Sequence, residues 1–196
     1  MSKYYDTIYA LSTSTGRSAI DIIRVSGNKS LMILKKISSI VQIKENRANI
    51  VYLKFKKEII DQVILTYFKA PKSFTGQEML EINCHGSPAV VKKISDILSI
   101  LGARLAEPGE FTKRALLNDK LDLVQTESLS DLINSETEKQ RSLAISNLSG
   151  RLSSFVENIN KKLNFLLANT EALIDFSDED LPKNVLNKIL EQNKNI

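Results

Sequence analysis

Glu81, Cys84 and His85 fall within six residues, EINCHG, which hold the only cysteine and the only histidine of the chain. A thiol beside an imidazole is the makings of a nucleophile with its base, or of half a metal site. With no second Cys or His, a zinc-type ligand set cannot be completed. The stretch reads as a strand, where alternate side chains share a face: Glu81, Asn83 and His85 point one way, and Leu80, Ile82 and Cys84 the other. Cys84 then belongs with the core set, as a small hydrophobe whose thiolate is disfavoured. His85, before Gly86, either orders the turn or touches a ligand. Glu81, in the middle of an apolar strand, either faces solvent or accepts paired hydrogen bonds from something in a pocket. Arg24, in IDIIRVSG, poses the same problem beside Ile20 and Ile22. A guanidinium there needs a carboxylate or an anionic ligand, and a structural ion pair would serve equally.

These residues need a scaffold. Strands are predicted over 6–12 and 19–27, joined by the Gly16 turn, and a helix over 30–40 capped by Asn28 or Ser30. Residues 49–55 and 58–68 read as a hairpin, 78–85 as a strand, 87–101 as a helix between Pro88 and Gly102, and 103–107 as a last strand. This mixture predicts an α/β (α+β) domain with helices on one face. After PGEF the strand signal disappears. Residues 112–134 read as helical, and 137–175 as one long helix with Leu148, Leu152, Phe155, Ile159, Leu163 and Leu166 along one stripe. The short helical stretch 182–196 is too little to cover that stripe, so the expectation is an incomplete helical bundle rather than a coiled-coil dimer. The boundary is placed at 118/119. In EPGEFTKRALLNDKLDLVQTESLSDLI, Glu110 and Asp119 lie near helix starts, while Lys113, Arg114 and Lys120 read mainly as surface cations. Lys120 falls at the junction of the two halves.

Composition bounds the function. The chain has 196 residues, 42% of them hydrophobic, enough for a sizeable core. One cysteine permits no internal disulfide, and no run approaches the roughly 18 apolar residues of a membrane span. The N-terminus lacks a secretory pattern, so a soluble cytoplasmic protein is expected. Through residue 118 the chain carries 18 Lys and Arg against 10 Asp and Glu, and beyond it 9 against 13, so the basic half could face an anionic ligand or RNA. None of the seven glycines is followed by lysine, which excludes a phosphate-cradling Walker loop. GxGxxG and GxSxG are also missing.

Three long segments, STGRSAIDIIRVSG (14–27), APKSFTGQEMLEINCHGSPAVV (70–91) and the 107–133 stretch, together with LIDFSDEDL (173–181), resemble the tRNA-modification GTPase family MnmE/TrmE. The resemblance implies a folate-binding domain similar to that of the aminomethyltransferases, then a helical domain into which a GTPase domain is inserted. It places folate contacts at Arg24, Glu81 and Lys120, with Arg17 and His85 as further candidates. The cofactor would be 5-formyl- or 5,10-methylenetetrahydrofolate. Partners would be a second copy through the N-terminal domain, an MnmG/GidA-type flavoprotein, and tRNA modified at its wobble uridine. The GTP, magnesium and potassium sites and the catalytic cysteine would lie beyond Ile196, so no catalytic or metal residue is expected in this chain. The family usually has two prolines before the GR and extra glycines after it, where this chain has Ser14-Thr15 and Ser18-Ala19. Two other functions remain open: a stand-alone folate-dependent one-carbon transferase using His85 or Asp21 as acid or base, and a non-catalytic tRNA-binding scaffold.

Overall fold

The computed structural model describes residues 6–38, 40 and 44–175. The short helical stretch expected at 182–196, and the end of the segment 173–181, lie outside them. The chain divides into two compact units at Leu121/Asp122.

In the first unit β1 (Ile8–Leu11), β2 (Ile20–Ser26), β3 (Ala48–Phe55), β4 (Glu58–Phe68), β5 (Met79–His85) and β6 (Arg104–Leu105) form one sheet in the order β3-β4-β5-β2-β1-β6. All pairings are antiparallel except β1 with β6. The period-two alternation seen in the sequence decides which face is core. Ile23, Val25, Leu53, Val63, Leu65, Leu80, Ile82 and Cys84 project to one side and are buried. Against them pack α1 (Ser30–Ile37) and α2 (Pro88–Ile100) through Ile33, Leu34, Ile37, Ile94, Ile97 and Leu98. Helices on one face are therefore what the structure has. Details differ from the sequence reading. Lys29, not Asn28 or Ser30, is the N-cap of α1, with no side-chain cap bond, and the helix ends at Ile37. β6 keeps only two residues of the stretch 103–107.

Residues 112–134 are not one helix. α3 (Glu110–Leu117) stops in a turn where Asp119 has φ 53° and the Lys120 amide returns to the Ala115 carbonyl at 2.9 Å. Asn and Asp favour such turns because their side chains compete for the backbone. In the second unit α4 (Leu123–Ile133) restarts behind Asp122, whose carboxylate accepts from the Gln125 amide in a capping box. The expected long helix over 137–175 is also two, α5 (Glu138–Leu148) and α6 (Arg151–Asp175), because Gly150 adopts φ 88°. Leu148 thus belongs to α5. Along α6 Leu152, Phe155 and Leu163 are exposed, while Ile159 and Leu166 are half-buried.

One polar cluster attaches α3 to the sheet. Arg114 is not a surface cation: its side chain is 1% exposed and pairs with Asp6 and Glu110. Glu110 is also gripped by both Arg104 amino groups, at 2.8 and 2.6 Å, and Arg104 reaches Asp6 through Nε. Two cations face two carboxylates, so the cluster is neutral. The Arg104 hydrogen bonds, outweighing burial, bring the Glu110 carboxyl down to about 2. A carboxyl depressed in the folded state stabilises fully above its unfolded value, near 4.3, and loses that contribution as pH falls toward 2. Glu110→Gln is expected to lower the unfolding free energy at pH 7 by about 3 kcal/mol and to flatten its decline between about pH 5 and 2. Urea titrations across that range measure both effects; parallel pH profiles for the two proteins would contradict this account.

Candidate functional site

The opposite face of the sheet runs from covered to open. Residues paired across strands share a face, so the registers lay out its rows. Ile8, Ser26 and Met79 form a buried row, continued by the half-buried Phe68. The next row is Ala10, Arg24, Glu81, Thr66 and Ala48. Beyond it come Ile22, Asn83, Ile64 and Ile50, then Ile20 with His85. Ile50 and Ile20 are 72% and 60% exposed. Arg24 and Glu81 thus sit at the border between covered and open surface.

There they meet directly. Arg24 Nε donates to Glu81 Oε1 at 2.8 Å, with the two side chains 37% and 20% exposed. This is the structural ion pair, one of the two alternatives for Arg24, and Glu81 is engaged by a neighbouring cation rather than simply facing solvent. The bond uses one guanidinium N–H and one carboxylate oxygen, and among the described residues no hydrogen bond engages the two amino groups or Oε2, which suits them to a ligand. A planar edge offering two adjacent N–H donors suits a carboxylate, and the amino groups suit carbonyl or anionic oxygens.

Lys120 is held from another element, against the loop that covers the buried row next to that of Arg24 and Glu81. The loop between β4 and β5 crosses the buried row, where the Ser26 and Thr75 hydroxyls meet at 2.7 Å. Gly76 follows with φ 74°, and a Cβ there would stand 3.2 Å from Lys120 Cγ and 3.0 Å from Asn118 Cβ. The lysine stem lies on the glycine. Its ammonium makes no ion pair among the described residues.

His85 and Arg17 lie at the other end of β5. Four residues separate His85 from Glu81, about 13 Å along a strand. Asp61 holds the histidine twice, accepting from its backbone amide at 2.8 Å and lying 2.7 Å from Nδ1. Its ring is 68% exposed. Arg17 is exposed in the loop before β2, which the Ser18 amide ties to the Gly86 carbonyl at 3.1 Å. Asp21, the other proposed acid or base, is 1% exposed and accepts from the Thr13 and Ser18 hydroxyls at 2.7 and 3.0 Å. It pins the loop. Burial pushes the Cys84 thiol up to about 11, as its core position requires. No group of three metal-ligating side chains occurs among the described residues, and none of their helices is long and apolar enough to cross a membrane.

A mixed sheet with helices on one face, followed by a separate helical unit, defines a two-domain class of chain. Comparison with known proteins gives the particular one: residues 7–120 match the family "GTP-binding protein TrmE N-terminus" and residues 123–196 the "MnmE helical domain", so the chain belongs to the MnmE/TrmE family. It is 46% identical over 193 residues to the "tRNA modification GTPase MnmE" of Fervidobacterium nodosum, covering 94% of this chain and 42% of that protein. The protein of that name in Sulfurovum sp. is 42% identical over 97% of this chain and 42% of its own length. That in Aquifex aeolicus is 44% identical, over 90% and 40%. The chain therefore spans about two fifths of the curated relatives it matches.

Gly86 sets the loop before β2 against the strand end. A Cβ there would lie 2.1 Å from Ser18 Oγ and 2.4 Å from the Ser18 carbonyl oxygen. Gly86→Ala is expected to displace residues 13–18 and to destabilise the chain by about 1–3 kcal/mol. Chemical denaturation measures the loss, and unchanged amide shifts for Thr13 and Ser18 would show that the loop does not rest on this glycine.

Proposed function

We propose that this chain is the folate-holding and dimerising part of an MnmE-type enzyme that modifies the wobble uridine of tRNA in the cytoplasm. The observation that carries the reading is the Arg24–Glu81 pair at the border of an open sheet face; Lys120, its stem on Gly76, lies against the loop whose Thr75 meets Ser26, two residues from Arg24 on β2. Such a set fits a reduced pterin: Glu81 would accept from the ring N–H and adjacent amino group, and Arg24 and Lys120 would meet carbonyl or glutamyl oxygens. A long ligand extended along β5 would bring Arg17 and His85 into reach. Bound there, 5-formyl- or 5,10-methylenetetrahydrofolate would supply the one-carbon unit, and the residues named bind and orient it. GTP hydrolysis with its magnesium and potassium, and the catalytic cysteine, belong to segments of the longer relatives that this chain does not span. The flavoprotein of MnmG type and tRNA are partners of that longer assembly.

The exposed Ile20, Ile50, Tyr52 and Ile64 give the first unit an apolar surface, and we assign it to pairing with a second copy. Ile50→Lys is expected to move the sedimentation profile from dimer to monomer; an unshifted dimer would place the contact elsewhere.

Calorimetric titration of 5-formyltetrahydrofolate tests the site itself. Wild-type chain is expected to bind in the micromolar range, and Glu81→Ala to lose about 1.5–3 kcal/mol, the range for a hydrogen bond to a charged group. Equal affinity in both proteins would move the pterin away from β5. No binding by folded wild type would remove folate from the reading.

A further inference from the structure

Arg114 lies outside every set of ligand residues considered above, yet its side chain leads to them. Its five N–H donors all have acceptors. Nε and Nη2 reach Glu110 Oε1 at 3.3 and 2.9 Å, Nη2 reaches Asp6 Oδ1 at 2.7 Å, and Nη1 reaches the Asp6 carbonyl at 2.8 Å and Gln77 Oε1 at 3.1 Å. Gln77 Oε1 also accepts from the Ser26 hydroxyl at 3.0 Å. Ser26 meets Thr75, and the Thr75 carbonyl accepts from Asn118 Nδ2 at 2.6 Å, one turn of α3 beyond Arg114. The path closes: Arg114, Gln77, Ser26, Thr75, Asn118 and back along the helix. Gly76 lies inside this ring, between Thr75 and Gln77, and carries the Lys120 stem.

We propose that Arg114 is a positioning residue for the ligand site, acting through the ring to hold Gly76 and Lys120 as one unit on the loop that meets Ser26, two residues from Arg24 on β2. Lysine could not substitute, because a single ammonium cannot reach Glu110, Asp6 and Gln77 in one plane. The ligand half of this inference rests on the folate reading; the ring does not.

The test uses the whole chain and two variants. Arg114→Lys keeps the charge and loses the fork, and Asn118→Ala opens the ring at an exposed residue without disturbing the buried charges. Without ligand, both variants are expected to speed hydrogen exchange at the Gly76 and Lys120 amides together, while the β5 amides keep their protection. With 5-formyltetrahydrofolate, Asn118→Ala is expected to weaken binding about tenfold, and to have little further effect once Lys120 is already alanine. Exchange unchanged at Gly76 and Lys120 overturns the ring. Equal binding losses with and without Lys120 overturn positioning through that lysine, since general destabilisation would act in either background. A wild-type chain that binds no folate overturns the folate reading instead, and exchange still decides whether the ring holds Gly76 and Lys120.

Discussion

A guanidinium removed from water must recover a negative charge and acceptors for five N–H groups, or the fold that buries it is destabilised by several kcal/mol, on the order of 3–5. Arg114 meets that requirement with groups from three places: the segment before β1, the first turn of α3, and the loop before β5. Satisfying one side chain therefore fixes three elements at once. The helix cannot slide along the sheet without leaving a buried charge unpaired, and the loop cannot lift without taking Gln77 with it. The ladder hydrogen bonds hold the strands to each other, but this cluster gives the sheet its covered end.

That covered end determines what the open face can do. On the row of Ile8, Ser26 and Met79 the side chains are buried; six residues away, at the start of β2, Ile20 is exposed. A charged pair placed in the first row would have to be fully desolvated, and one placed in the last would be screened by water. Arg24 and Glu81 occupy the row between. Water is partly excluded there, which strengthens hydrogen bonds to charged groups, while unused donors and acceptors remain accessible. The loop over the covered row also receives the Lys120 stem, which needs the missing Cβ of Gly76 in order to lie flat.

Much of this was legible in the sequence. Period-two alternation separated Cys84 from His85 and put Glu81 on the polar side, because strand geometry leaves no other choice. The helices on one face followed from the mixture of short strands with two helical stretches. Two things were not legible. The breaks at Asn118–Asp122 and Ser149–Gly150 fall within continuous helical periodicity, where local turn chemistry outweighs an apolar pattern that continues past it. Arg114 read as one of several helix cations, since its burial depends on Asp6, far away in the chain. A lone signal was present: Glu110 and Arg114 at helical spacing, a pair that could have been flagged as an ion pair though not as a buried one.

The loop before β2 shows how side chains can fix a segment that carries one glycine, Gly16, and no proline. Here hydroxyl residues stand in that region, and Thr13 and Ser18 donate to the buried Asp21 carboxylate. The loop is then anchored by side-chain bonds at the start of the strand that carries Arg24. Asp21 projects to the core face and Arg24 to the open one, so the anchor does not compete for the Arg24 guanidinium. The acid that might have been taken for a catalytic group is engaged in holding the chain, and the arginine three residues on is left to its carboxylate partner.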